Sequence, residues 1–184
     1  MSLKHGILGL LSYQPMAGYD LMKVFDHSLR FFWNAQTSQI YRELDSAAAA
    51  GLIAKEEERQ RGKIVKTIYS VTAAGMAEFE RWLAEVPAET PVRNVTLLRL
   101  FFHARLGRDA IGRFLEARKA VAHAGIDRLR AVISEVIPSY RSAGSLDEQC
   151  WSMAAEYGIA QWEAEARWAE ACLARLEALG KEES

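Results

Sequence analysis

The chain has 184 residues, 50% of them apolar and 26% charged, with a formal net charge of −1. That length admits one large domain or two small ones with a real core, and no apolar run approaches the ~20 residues needed to span a bilayer. The start, MSLKHGILGLL, is too short for a signal peptide and ends in no small-residue cleavage site, so a cytoplasmic address is expected.

In chain order, Leu3, Ile7, Leu10 and Leu11 mark a first short helix stopped near Gln14-Pro15, and Pro15-Met16-Ala17-Gly18 reads as a turn. A second helix is expected from about Tyr19 to Leu29, with Leu21, Met22, Phe25 and Leu29 on its apolar side. Phe31-Phe32-Trp33-Asn34 follows, an aromatic knot expected to lock the second helix against the third, with Trp33 as a core anchor. The third helix lies within Gln36–Gly51, where Thr37 or Ser38 can cap its start. Ile40, Leu44, Ala47, Ala48 and Leu52 form its apolar stripe, while Gln39, Arg42, Glu43 and Ser46 face outward.

Leu52-Ile53-Ala54 begins a strand, and Ile64 to Val71 alternates with the period of its half-buried partner. Arg61-Gly62-Lys63 is the hairpin tip, where Gly62 is free to take positive φ. From Arg59 to Ala77 the charged residues are all basic: Arg59, Arg61, Lys63 and Lys66. Glu56-Glu57-Glu58 lies just before them and must point away from any phosphate. Thr72 caps a fourth helix with Met76, Phe79, Leu83 and Val86 on one face. Three helices, a two-stranded basic wing and a fourth helix form a winged helix-turn-helix over residues 1–86. A helix followed by a basic hairpin of this kind is how a winged helix meets duplex DNA.

Two prolines in Pro87–Pro91 mark the domain boundary. The rest, residues 93–180, reads as an all-α domain, so the chain is mainly α. Val95 to Leu106 is apolar nearly all round and is expected to be buried, with Gly107 ending it. A long helix is expected from about Asp109 to Ile137, halted by Pro138, and Ser145 caps a last one that ends at Gly180. In that last helix Leu146, Cys150, Met153, Tyr157, Ala160 and Ala164 step by four and three, the spacing of a coiled-coil seam. Trp168, Cys172, Leu176 and Leu179 continue the seam after a slip in register. Such a helix is too long to be covered by its own half of the chain, so a second copy related by a two-fold axis is expected. Cys150 and Cys172 make neither a disulfide framework nor a zinc pattern and are expected to be buried thiols.

The near-neutral total charge gives no bulk support for nucleic-acid binding, but screening confines exposed charges to ~10 Å at 0.1 M salt, so their local placement decides. The DNA-contacting candidates on the third helix are Thr37, Ser38, Gln39, Tyr41 and Arg42. Its N–H groups and dipole favour a phosphate. Gln39 suits adenine and Arg42 suits guanine, or a phosphate. Arg61, Lys63 and Lys66 would lie along the backbone or minor groove and position the protein without specifying sequence. No enzyme site emerges: His5, His27, His103 and His123 are scattered without ligand spacing, and neither a nucleophile elbow nor a phosphate-binding glycine loop occurs. No cofactor or metal is expected. Glu156, Glu163, Glu165 and Glu170 read as a solvated face. Trp151, Tyr157, Trp162 and Trp168, with Phe101, Phe102 and Phe114, are either core and dimer interface or walls for a flat aromatic effector.

The motifs Gly18-Tyr19-Asp20-Leu21, Phe32-Trp33, Gln39-Ile40-Tyr41-Arg42-Glu43-Leu44, Gly51-Leu52-Ile53, Tyr69-Ser70-Val71-Thr72 and Gly75 resemble, in order and spacing, the PadR family of winged-helix transcriptional regulators. The C-terminal half, with Leu98-Arg99-Leu100-Phe101-Phe102 and its long final helix, looks like the virulence-activator type of C-terminal domain. The resemblance covers nearly the whole chain. It implies a homodimer on a palindromic operator in double-stranded DNA, repressing a neighbouring gene until an inducer, often aromatic, binds. Two departures from relatives stand out: the third helix ends in Ser46-Ala47-Ala48-Ala49-Ala50, poor in phosphate contacts, and Asp45 adds negative charge. The near-neutral charge and the alanine-rich third helix keep open the alternative, a winged-helix adaptor that binds protein rather than DNA.

Overall fold

A computed structural model describes residues 2–60, 63–86, 93–137 and 145–182. The wing tip at Arg61-Gly62, the boundary prolines Pro87 and Pro91, and the stop at Pro138 lie outside the described residues. The chain divides into two compact units, Met1–Glu89 and Thr90–Ser184.

In the first unit the order is α1 (Ser2–Tyr13), β1 (Met16–Ala17), α2 (Gly18–Ser28), α3 (Thr37–Ala49), β2 (Ile53–Gln60), β3 (Lys63–Val71) and α4 (Ala73–Ala84). Ile7, Leu8 and Leu11 of α1, Leu21 and Phe25 of α2, and Ile40 and Leu44 of α3 meet in one core. Burying each such side chain stabilises the fold by about 1.5–3 kcal/mol. The chain leaves α3 through Gly51 at φ +72, a conformation that favours glycine. The Gly51 N–H donates to the Ala48 carbonyl (3.0 Å) and the Leu52 N–H to that of Ala47 (2.9 Å), which satisfies the last carbonyls of the helix. The Thr72 hydroxyl oxygen accepts from the Gly75 N–H (3.1 Å) and caps α4. Gly75 packs so closely that a Cβ there would sit 2.0 Å from the Leu52 carbonyl oxygen.

The expected turn at Pro15–Gly18 is instead a third strand. Met16 pairs with Tyr69 and Ala17 with Ile68, all antiparallel, giving the sheet order β1-β3-β2. Two residues carry no readable alternation, and the strand exists only because β3 lies beside it. The aromatic knot is also different. The Trp33 N–H donates back to the Leu29 carbonyl (2.9 Å), closing a turn that sends the rings outward. Phe32 and Trp33 are therefore exposed, Trp33 by 38%, and small Ala35 enters the core instead. On α4, Phe79 packs against the core, but Leu83 is exposed and Val86 lies beyond the helix.

One polar joint fastens α1 to α4. His5 is only 5% exposed, and its ring stacks on Trp82 at 4.5 Å with planes 3° apart. The Lys4 ammonium donates to Glu78 Oε1 at 2.6 Å, His5 Nε2 lies 3.3 Å from the same oxygen, and Arg81 pairs with Oε2. The hydrogen bonds from Lys4 and His5, with the charges of Lys4 and Arg81, pull the Glu78 carboxyl down to about 2.

The second unit contains α5 (Val95–Phe101), a 3-10 turn (His103–Leu106), α6 (Arg108–Ala131) closed by a π-helical turn (Val132–Val136), and α7 (Leu146–Glu182). The single helix expected over Val95–Leu106 breaks at Phe102. Nor is it buried: Leu97, Leu98, Phe101, Phe102 and Leu106 are exposed, Phe101 by 81%. A helix apolar on every side needs cover on every side, and the described residues of the second unit do not supply it. Gly107 ends this segment at φ +82 as expected. The Ser145 hydroxyl oxygen accepts from the Glu148 N–H (3.2 Å), so the expected cap of α7 is present.

Helices α6 and α7 run antiparallel, since Gly112 meets Leu176 while Gly125 meets Trp162. The contact is made by Leu115, Ala122, Ile126 and Leu129 on α6 and by Ala155, Ala166 and Ala169 on α7, all buried. Glu165 belongs to this joint rather than to a solvated face, because Arg118 Nε donates to it at 2.8 Å. The expected seam residues Leu146, Cys150, Met153 and Tyr157 lie on the exposed side of α7, Leu146 by 84%. Cys150 is thus an exposed thiol, not a buried one, and Cys172 is half-buried.

Candidate nucleic-acid interface

Helix α3 begins one residue earlier than its hydroxyls suggest. Gln36 is the N-cap, with extended backbone, and its N–H donates to Gln39 Oε1 at 2.8 Å. Thr37 and Ser38 are therefore the first helical residues rather than the cap, and both are exposed. Gln39 is exposed too, but its carboxamide oxygen is engaged in holding the helix start. Pairing bidentately with adenine needs both amide atoms, so that reading of Gln39 would break the cap.

Tyr41 and Arg42 project from the same helix, Tyr41 39% exposed and Arg42 open. The Tyr41 ring rests on Gly18 at the start of α2, where a Cβ would lie 2.9 Å from Cε1. Among the described residues no carboxylate lies within ion-pair distance of Arg42. Asp45, a charge that would repel phosphate, is offset by Lys55 Nζ of β2 at 3.4 Å. The distance is long and both groups are exposed, so this pair weakens the repulsion without fixing geometry.

In the wing, β2 and β3 pair antiparallel from Ile53↔Val71 to Gln60↔Lys63, with an irregularity between Glu58 and Arg59. Lys66 is exposed and its Nζ lies 3.5 Å from Asp20 on α2, which ties the wing to the second helix. Glu58 stands opposite Lys66 in the ladder. Lys63 opens β3; its side chain and the whole of Arg61 lie outside the described residues. Thr37, Ser38, Tyr41, Arg42 and Lys66 are thus exposed on two elements linked through α2. Sequence reasoning missed the linking residues Gly18, Asp20 and Lys55, for which no local pattern signals a tertiary partner.

Besides His5 of the α1–α4 joint, the histidines make separate contacts. His27 Nδ1 lies 2.6 Å from the Lys23 carbonyl, His103 Nδ1 lies 2.9 Å from that of Arg99, and His123 stands 4.0 Å from Glu170. The aromatic side chains of the second unit serve different contacts. Trp162 packs on Gly125, Phe114 on His103 at 4.4 Å, and Phe101 edge-on to Phe102, while Tyr157 is exposed.

Residues 7–81 match the transcriptional regulator PadR-like family, and residues 92–177 match the virulence activator alpha C-terminal family. The chain thus joins a PadR-like domain to a virulence-activator-type C-terminal domain. It is 35% identical over 108 residues to the negative transcriptional regulator PadR of Bacillus subtilis, covering 58% of this chain and 59% of that protein. The match to this relative therefore spans less than two thirds of its length. In structure the likeness runs further: PadR of Bacillus subtilis in complex with operator DNA superposes with a TM-score of 0.79 at 26% identity, over 96% of this chain and 99% of that one. The same protein in complex with p-coumaric acid superposes with a TM-score of 0.77 at 25% identity, over the same shares. The Vibrio cholerae virulence activator AphA shares the fold, with a TM-score of 0.70 at 24% identity over 97% of this chain and 99% of that one. Among the described residues no helix is long and apolar enough to cross a membrane.

Proposed function

We propose that this chain is a cytoplasmic, homodimeric repressor that binds a palindromic operator near its own gene and releases it when a small aromatic effector binds. It acts by binding rather than by catalysis. Residues 1–86 would contact DNA, and residues 93–180 would pair the two copies and hold the effector. The observation that carries this reading is the exposed polar start of α3, with Arg42 offset by no described carboxylate and the exposed Lys66 of the wing, on a chain alignable almost end to end with an operator-bound PadR. Thr37, Ser38 and Arg42 are the proposed recognition contacts, with Tyr41 beside them. Gln39 is proposed to contribute through its amide N–H, keeping its oxygen for the cap. Arg61, Lys63 and Lys66 are proposed to follow the phosphate backbone.

The exposed apolar row on α7 and α5 supports pairing, since an uncovered surface of this kind marks an interaction site. For both α3 helices to enter one face of a duplex, the dimer must set them about 34–36 Å apart, or reach that spacing. An effector shifts occupancy only if it binds the DNA-competent and incompetent dimers with different affinity.

A gel shift with duplex DNA from upstream of the chain's own gene tests this. Binding should weaken steeply with salt, and Arg61→Ala with Lys63→Ala should flatten the slope by up to about 1.8 units, at about 0.9 per phosphate. Specific binding with an unchanged slope would remove the wing from the interface. Absence of any shift would favour the adaptor reading.

A further inference from the structure

We propose that Tyr19 and Lys23 of α2 form a third backbone-contacting element, a phosphate anchor set between α3 and the wing. The inference rests on the DNA-binding reading above and adds residues to that interface. Its basis is the placement of α2. On one side, Gly18 lies against the Tyr41 ring, and Met22 and Asp26 share an open groove with Thr37 and Ser38 at the start of α3. On the other side, Asp20 meets Lys66 of β3. At 100° per residue, Tyr19 and Lys23 project between these two flanks, away from buried Leu21 and Phe25. The strip therefore faces outward between the two elements proposed to touch DNA.

The chemistry suits phosphate. The Lys23 ammonium sits 4.5 Å from the centroid of the exposed Tyr19 ring, which restricts its position while leaving its donors open. Among the described residues no carboxylate lies within ion-pair distance of Lys23. The neighbouring cations differ: Arg30 is bonded to Asp26 at 2.8 Å, Lys55 faces Asp45 and Lys66 faces Asp20. On this surface Lys23 and Arg42 thus carry charge that no described carboxylate offsets. A lysine ammonium acts as a point charge, so Lys23 would add affinity on any duplex and no base preference. Tyr19 is a positioning residue that keeps the ammonium over the outward face.

The test compares the full chain with its Lys23→Ala, Lys23→Arg and Tyr19→Ala variants on two duplexes of equal length, one from upstream of its own gene and one unrelated. Lys23→Ala should weaken binding to both by a similar factor, about 3- to 10-fold at 0.1 M salt, and lower the salt slope by about 0.9 for each phosphate released. Lys23→Arg should restore slope and affinity, and Tyr19→Ala should fall between. All three should unfold at the wild-type midpoint, since both side chains are exposed. Steeply salt-dependent wild-type binding that Lys23→Ala leaves unchanged would overturn the anchor and leave the DNA-binding reading standing. A wild-type chain that binds neither duplex would overturn both.

Discussion

The two halves of this chain solve the burial problem differently. Among the described residues, seven of the eight largest fully buried side chains belong to the first unit, and Leu115 alone represents the second. The first unit closes a core of leucine, isoleucine and phenylalanine by itself. The second sets Leu115, Ile126 and Leu129 of α6 against α7, whose buried residues are the small Ala155, Ala166 and Ala169, and leaves Phe101, Phe102, Met153 and Tyr157 exposed. The alanines of α7 bury little area each, so the apolar surface left exposed in this unit is large beside what the pairing covers. The contrast fits the proposed division of labour: a first unit with a core of its own, and a second whose exposed apolar groups a second copy would cover.

The sharpest way to break the comparison is to make the exposed row of α7 unfit for burial. Met153→Glu with Tyr157→Glu should remove about 3–6 kcal/mol of association, at about 1.5–3 kcal/mol per buried side chain. Sedimentation should then show a monomer while circular dichroism keeps its helical signal. A variant that still pairs would place the interface elsewhere. Next in size is Gly75→Ala, whose Cβ would meet the Leu52 carbonyl oxygen at 2.0 Å. Backbone cannot yield as a side chain can, so the first unit should lose about 3 kcal/mol in denaturant unfolding, with pairing of the second unit intact. An unchanged midpoint would contradict the packing of α4 on the end of α3.

A smaller, pH-dependent effect belongs to the α1–α4 joint. The folded Glu78 carboxyl, at about 2, lies below its ordinary 4.5. Its contribution to stability is therefore complete above about 4.5 and fades as pH falls toward about 2. Glu78→Gln should flatten the stability profile in that window and leave the neutral region nearly level. A wild-type profile already flat there would show that Lys4 and His5 do not hold the carboxylate in solution.

Much of this architecture could be read from the residues. The stripe Ile40-Leu44-Ala47 and the cap at Thr72 are local patterns with one physical meaning each, and they stand where the periodicity put them. The failures share a cause. The strand at Met16-Ala17, the exposure of Trp33 and the ion pair Arg118–Glu165 depend on what lies across the fold, which spacing along one segment does not carry. The burial expected of Val95–Leu106 fails for a related reason: apolar composition states that cover is needed, not that the same chain provides it. At the candidate interface, the polar face of α3 was legible, but the use of Gln39 Oε1 in the cap was hidden by the shift of the N-cap to Gln36.

The division of labour is tested most directly by the stoichiometry of the full chain on DNA. Sedimentation with a duplex from upstream of its own gene, at two salt concentrations, should give two chains per duplex, with the complex dissociating steeply as salt rises. A single chain per duplex, or a pair whose hold on DNA ignores salt, would contradict it.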